Sequence, residues 1–126
     1  MNRFRITPYL LSIVLGFAAA PAFATAAIQE MAGITLHLHH YPSDAEKKTL
    51  QGIADNASST TGERTLATAL MHMEHKVTAA DKQKLETLMS DKTASADERT
   101  LAEVLTGINH KPSDADVQKL RPLAGQ

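Results

Sequence analysis

His40, His75 and His110 stand at an even spacing of 35 residues, and the sequence around each repeats with it. The segment from His40 to Glu46 reads HYPSDAE; it returns as HKVTAAD, ending at Asp81, and as HKPSDAD, ending at Asp116. Leu50, Leu85 and Leu120 hold the same register, and Glu63-Arg64-Thr65-Leu66-Ala67 recurs as Glu98-Arg99-Thr100-Leu101-Ala102. No gap is needed anywhere. A period of this length is the signature of stacked helical hairpins, because one such unit cannot bury its apolar face alone.

Each unit reads as helix, turn, helix. Ser43-x-x-Glu46 is a capping box, and Thr78-x-x-Asp81 and Ser113-x-x-Asp116 are copies with a shorter acid. Such a box satisfies the unpaired amides of a helix's first turn. Pro42 and Pro112 precede two of these caps, where no amide donor is required. The second helix of each unit opens in the same way, at Thr60-x-x-Glu63 and Ser95-x-x-Glu98. Leu50, Ile53 and Ala57 then follow helical spacing, as do Leu66, Leu70, Met73 and Val77, with copies one period later. Ala27, Met31, Ile34 and Leu38 fit a lone helix ahead of the first unit. Val117, Leu120 and Leu123 fit one after the last, ended by Pro122 or Gly125.

The expectation is an all-α chain of five to six short helices, over 27–39, 43–57, 62–75, 78–91, 97–109 and 113–121. They make up about three helical-hairpin repeats, with units at about 40–74, 75–109 and a partial 110–126, arranged as a small solenoid or a compact bundle. The period and hairpin plan resemble tetratricopeptide-type arrays in geometry. The tryptophan, tyrosine and phenylalanine positions that mark that family have no counterpart here, so the resemblance implies a way of stacking and nothing about function.

Residues 1–24 read as a cleaved signal peptide. Arg3 and Arg5 give a positive start, Tyr9 to Ala20 form an apolar run, and Ala22-Phe23-Ala24 is a small-x-small cleavage pattern. The run is shorter than the roughly 20 residues that a spanning helix needs. The helical-hairpin repeat domain is then 25–126, periplasmic or secreted, with no membrane span. Removing the signal leaves 102 residues and takes two arginines from 13 basic side chains, so 11 face 14 acidic ones at a net charge of −3. That balance argues against nucleic acid as a partner. Tyr41 is the only aromatic residue left, so neither a base-stacking platform nor an aromatic cage can be built. With no cysteine present, no disulfide supports the domain.

The chemistry rests on six histidines. His37-x-x-His40 and His72-x-x-His75 are one motif a period apart, and residues at i and i+3 share a helix face. On adjacent helices, His37, His40, His72 and His75 form a candidate site for zinc, copper or nickel, the ions that imidazole suits. The trio His40, His75 and His110 recurs even where Gly107 replaces the partner histidine, which points to a structural role: a histidine at a helix C-terminus bonds the last free carbonyls. Glu63 and Glu98 read as capping acids, and Met71, Met73 and Met89 as core. No nucleophile elbow or glycine-rich phosphate loop occurs, so an enzyme is not expected. Two functions follow. The first is an exported, non-enzymatic binding protein of the bacterial cell envelope, engaging a protein or peptide or a second copy of itself. The alternative is a periplasmic metal-binding protein.

Overall fold

A computed structural model describes residues 24–126. The expected signal peptide, Ala24 apart, lies outside the described residues. Six helices are present: α1 (Ala26–Leu36), α2 (Asp44–Asp55), α3 (Thr61–Met71), α4 (Ala79–Ser90), α5 (Ala96–Gly107) and α6 (Asp114–Leu123). There is no strand among the described residues, and no helix there is long and apolar enough to cross a membrane.

The helix starts lie where the caps place them. Ser43, Thr60, Thr78, Ser95 and Ser113 are the N-caps of α2 to α6, and Thr25 caps α1; each side chain accepts from a first-turn amide. Full reciprocal capping boxes form at Ser43, Thr60, Ser95 and Ser113. An N-cap of this kind is worth about 1 kcal/mol, which matters in helices of only ten to twelve residues.

The helix ends differ from expectation. α1, α3 and α5 stop two to four residues early, at Leu36, Met71 and Gly107. Leu38, Met73 and Ile108 carry the apolar pattern onward and are buried, but beyond the helix, as anchors of the turn that follows. Pro122 lies inside the last turn of α6 and does not end it. The stop comes at Gly125, whose φ of 79° only glycine adopts easily. There the amides of Gly125 and Gln126 bond back to the carbonyls of Pro122 and Arg121, the Schellman arrangement.

α2 packs chiefly on α3, α4 on α5, and α6 on α1, so the two ends of the chain supply one helix pair between them. α1, α3 and α5 each touch the other two, forming an inner triangle, and α2, α4 and α6 lie outside it without touching one another. The core is the triangle's interior and the seams to the outer helices. Leu66, Ala67, Leu70, Leu101, Ala102 and Leu105 are fully buried on α3 and α5; Ile28, Met31 and Ala32 fill the same role on α1. Leu50, Leu85 and Leu120 are the fully buried residues that the outer helices insert. Fully burying each leucine contributes about 1.5–3 kcal/mol.

At the end of the triangle where its helices begin, the capping acids join neighbours. Glu63 accepts from the Thr60 amide at 2.9 Å and from the Thr25 hydroxyl of α1 at 2.6 Å. Glu98 accepts from the Ser95 amide at 3.2 Å and from the Thr60 hydroxyl at 2.5 Å. Both carboxylates are buried, and both are satisfied by these donors. Gly62 gives Glu98 its room. A Cβ at Gly62 would drive into the Glu98 carboxylate and sit 3.1 Å from Leu88 Cδ1. Overpacking costs about 1–3 kcal/mol, more than the roughly 0.5–1 kcal/mol by which a helix prefers alanine. Gly62→Ala is therefore expected to lower the urea midpoint, by a net cost of about 1 kcal/mol. An unchanged or raised midpoint would show that Glu98 is free to move.

Candidate metal centre

At the opposite end, each inner helix runs into a tight turn held between two apolar anchors. Leu38 and Pro42 are both buried, and so are Ile108 and Pro112; in the middle turn Met73 is buried and Val77 half-buried. His40, His75 and His110 stand at the tips of these turns with φ of 70°, 65° and 70°. The Tyr41 amide donates to the His39 carbonyl at 2.9 Å, and the Lys76 amide to that of Glu74 at 2.7 Å. A three-residue turn with positive φ at its centre is the rare, strained hand of the γ-turn. A side-chain-bearing residue held in that region costs on the order of 1–3 kcal/mol.

The three tips bond to one another in a cycle. The amide of His40 donates to the carbonyl of His110, that of His75 to His40, and that of His110 to His75, each at 2.7 Å. This cycle fixes three Cα atoms around one point, and the imidazoles follow. Ring centroids lie 4.9 Å apart for His40 and His75, 5.1 Å for His40 and His110, and 4.7 Å for His75 and His110. One ring nitrogen from each residue lies within 4.8 Å of those of the other two. All three residues are exposed.

Two nitrogens are closer still: Nδ1 of His40 and Nδ1 of His75 are 2.9 Å apart. Two lone pairs cannot face each other at that distance, so either a proton or a cation has to lie between them. His110 is oriented differently. Its Nδ1 meets Oδ1 of Asn109 at 2.7 Å, which places the proton on Nδ1 and leaves the lone pair of Nε2 free. Fixing a histidine's second nitrogen in this way is how ligand rings are commonly oriented.

His40 resists protonation. Desolvation, followed by the charges that His75, His110 and His39 would carry, holds His40 below the ordinary imidazole value of 6.5. Below that value the unfolded chain takes up a proton that folded His40 refuses, so the folded state loses stability relative to the unfolded one as the pH falls. The urea midpoint of the metal-free protein is expected to fall more between pH 7.5 and pH 5 than that of His40→Gly. Equal falls in the two proteins would remove His40 as the cause.

Of the four histidines grouped by spacing, the structure brings together His40 and His75, and adds His110. His37 is the C-cap of α1, and its Nδ1 lies 2.9 Å from the Gly33 carbonyl. His72 is the C-cap of α3, and its Nδ1 lies 2.9 Å from Oδ2 of buried Asp81. The bond to a terminal helix carbonyl expected of the trio is thus made by His37. Helical spacing leaves His110 out, for want of a partner at Gly107; its recurrence in every unit is the signal that marks it. The cluster is the only group of three or more metal-binding side chains among the described residues. Comparison with known proteins gives no matching family model, no matching curated protein and no matching solved structure.

Proposed function

We propose that this is an exported transition-metal-binding protein, built as a closed array of three copies of one helical hairpin, with the ion held on the array's axis by His40, His75 and His110. The observation that carries the reading is the convergence of three imidazoles, one from each equivalent turn, with donor nitrogens within 4.8 Å of one another. At metal–nitrogen distances of ~2.0–2.1 Å, three ligands on one face of an ion lie roughly 3 Å apart. The His40–His75 pair already stands at 2.9 Å, and a ring nitrogen of His110 lies within 4.8 Å of both.

The closed array is supported by the helix pairing. α2 with α3, α4 with α5, and α6 with α1 are equivalent under the 35-residue period, the third pair being assembled from the chain's two ends. Strain supports the function. Three histidines at positive φ, where glycine would fit without cost, are retained for their side chains. Neutral imidazole suits zinc, copper(II) and nickel. A partner-binding scaffold has less to stand on, because Tyr41 and Met89 are the only large apolar side chains exposed among the described residues.

An ion that binds only the folded protein stabilises it by about 2.7 kcal/mol at a free concentration a hundred times Kd. Zinc, copper(II) or nickel is therefore expected to raise the thermal midpoint of the protein and of its His37→Ala/His72→Ala variant, and to leave His110→Ala unmoved. A midpoint indifferent to all three ions would reject the reading.

A further inference from the structure

Resting on the metal reading above, we infer that the ion's remaining coordination position takes a small organic carboxylate, seated in the groove beside His75 and steadied by Lys47 and Lys76. Three neutral imidazoles bring no negative charge to a divalent ion, and three ligands leave a tetrahedral ion one position short. The cluster is exposed, so that position opens outward.

What surrounds the opening is mostly cationic or neutral. The residues flanking the three histidines in the chain are His39 and Tyr41, Glu74 and Lys76, and Asn109 and Lys111. Lys76 and Lys111 have no ion-pair partner among the described residues. A groove of about 700 Å³ runs beside His75, lined among others by Lys47, His72, Glu74, Lys76 and Thr78. Lys47 sits across Tyr41, 5.7 Å from its ring centroid, on the side of the cluster that the groove occupies.

A carboxylate entering this groove meets the ion's uncompensated charge at one end and two ammonium groups along the wall. The apolar part of a small organic acid would lie against Met71 and Val77, both half-buried in the groove wall. Glu74 is the competing source of the same chemistry, since it carries a carboxylate and lines the groove without belonging to the histidine cluster.

The test uses cobalt(II), whose visible absorption reports its coordination, titrated into the protein in sodium acetate and in sodium chloride of equal ionic strength. Coupling between two ligands is reciprocal, so acetate that binds the bound ion must tighten cobalt binding, by at least about fivefold. The absorption band should shift as it does so. Lys47→Gln/Lys76→Gln is expected to shrink the acetate effect while leaving cobalt affinity in chloride equal or higher. Identical titrations in acetate and chloride would overturn the inference and leave the metal reading intact. So would a Glu74→Gln variant that binds cobalt about tenfold more weakly in chloride, because Glu74 would then be the fourth ligand. Failure of cobalt to bind in either salt overturns both.

Discussion

Replacing His40, His75 and His110 together with glycine is expected to make the metal-free protein more stable and to abolish the metal binding proposed for it. The three residues carry φ values of 70°, 65° and 70°, and glycine occupies that region without the cost a side chain incurs there. Relief of about 1 kcal/mol at each position gives roughly 3 kcal/mol in all, after allowing for glycine's greater freedom in the unfolded chain. In a domain of this size that is a rise in thermal midpoint of roughly 10 °C or more. The backbone cycle survives, since it uses only amides and carbonyls. The imidazoles removed are exposed and contribute little packing. Opposite signs for stability and binding would mark the trio as maintained for its chemistry. Had these histidines a purely structural duty, the triple variant would melt earlier; thermal unfolding without metal decides between the two.

Removing α6 by ending the chain at Lys111 is expected to unfold the protein. In an open row of hairpins a terminal helix touches one neighbour, and its loss is tolerable. Here α6 packs on α1 as well as α5 and inserts Leu120 and Leu123, both buried. Loss of two buried leucines costs about 4–10 kcal/mol, comparable to the whole stability of about 5–15 kcal/mol of a small domain. A circular permutant separates loss of contacts from loss of the chain end. By the 35-residue period, Gln126 corresponds to Asn56 and Thr25 to Thr60, so three residues copied from Ala57-Ser58-Ser59 would join the existing ends. New ends would be opened within the turn at 91–95. That permutant should unfold cooperatively, with a urea midpoint close to the parent's. A truncated chain that stays folded, or a permutant that does not fold, would contradict closure through α6 and α1.

Helix number and helix starts are legible because they are written locally. Ser43, Thr60, Thr78, Ser95 and Ser113 each stand three residues before an acid, and all five are caps. Helix ends are less legible. Leu38, Met73 and Ile108 keep the helical apolar spacing past the true ends, because a turn tucked against the core needs buried anchors as much as a helix does. The overshoot carries into the site. The pairing of His37 with His40 and of His72 with His75 needs both members on one helix, and α1 and α3 stop at Leu36 and Met71. Beyond the helix, the later histidine of each pair joins the three-histidine cluster and the earlier one is the C-cap. His110 is hidden for another reason. Whether the turns after α1, α3 and α5 meet depends on long-range packing, that of α6 on α1 above all, which no local pattern announces.

One ion held by three residues that lie 35 positions apart in the chain is the claim on which the proposed function stands. Calorimetric titration of the protein with zinc, beside His40→Ala, His75→Ala, His110→Ala and His37→Ala/His72→Ala, addresses it most directly. The predicted result is one ion per chain, at least a hundredfold weaker when any one of the three is removed and unchanged in the double variant (about 2.7 kcal/mol corresponds to a hundredfold). Zinc binding that survives in His110→Ala, or that disappears with His37 and His72, would contradict it.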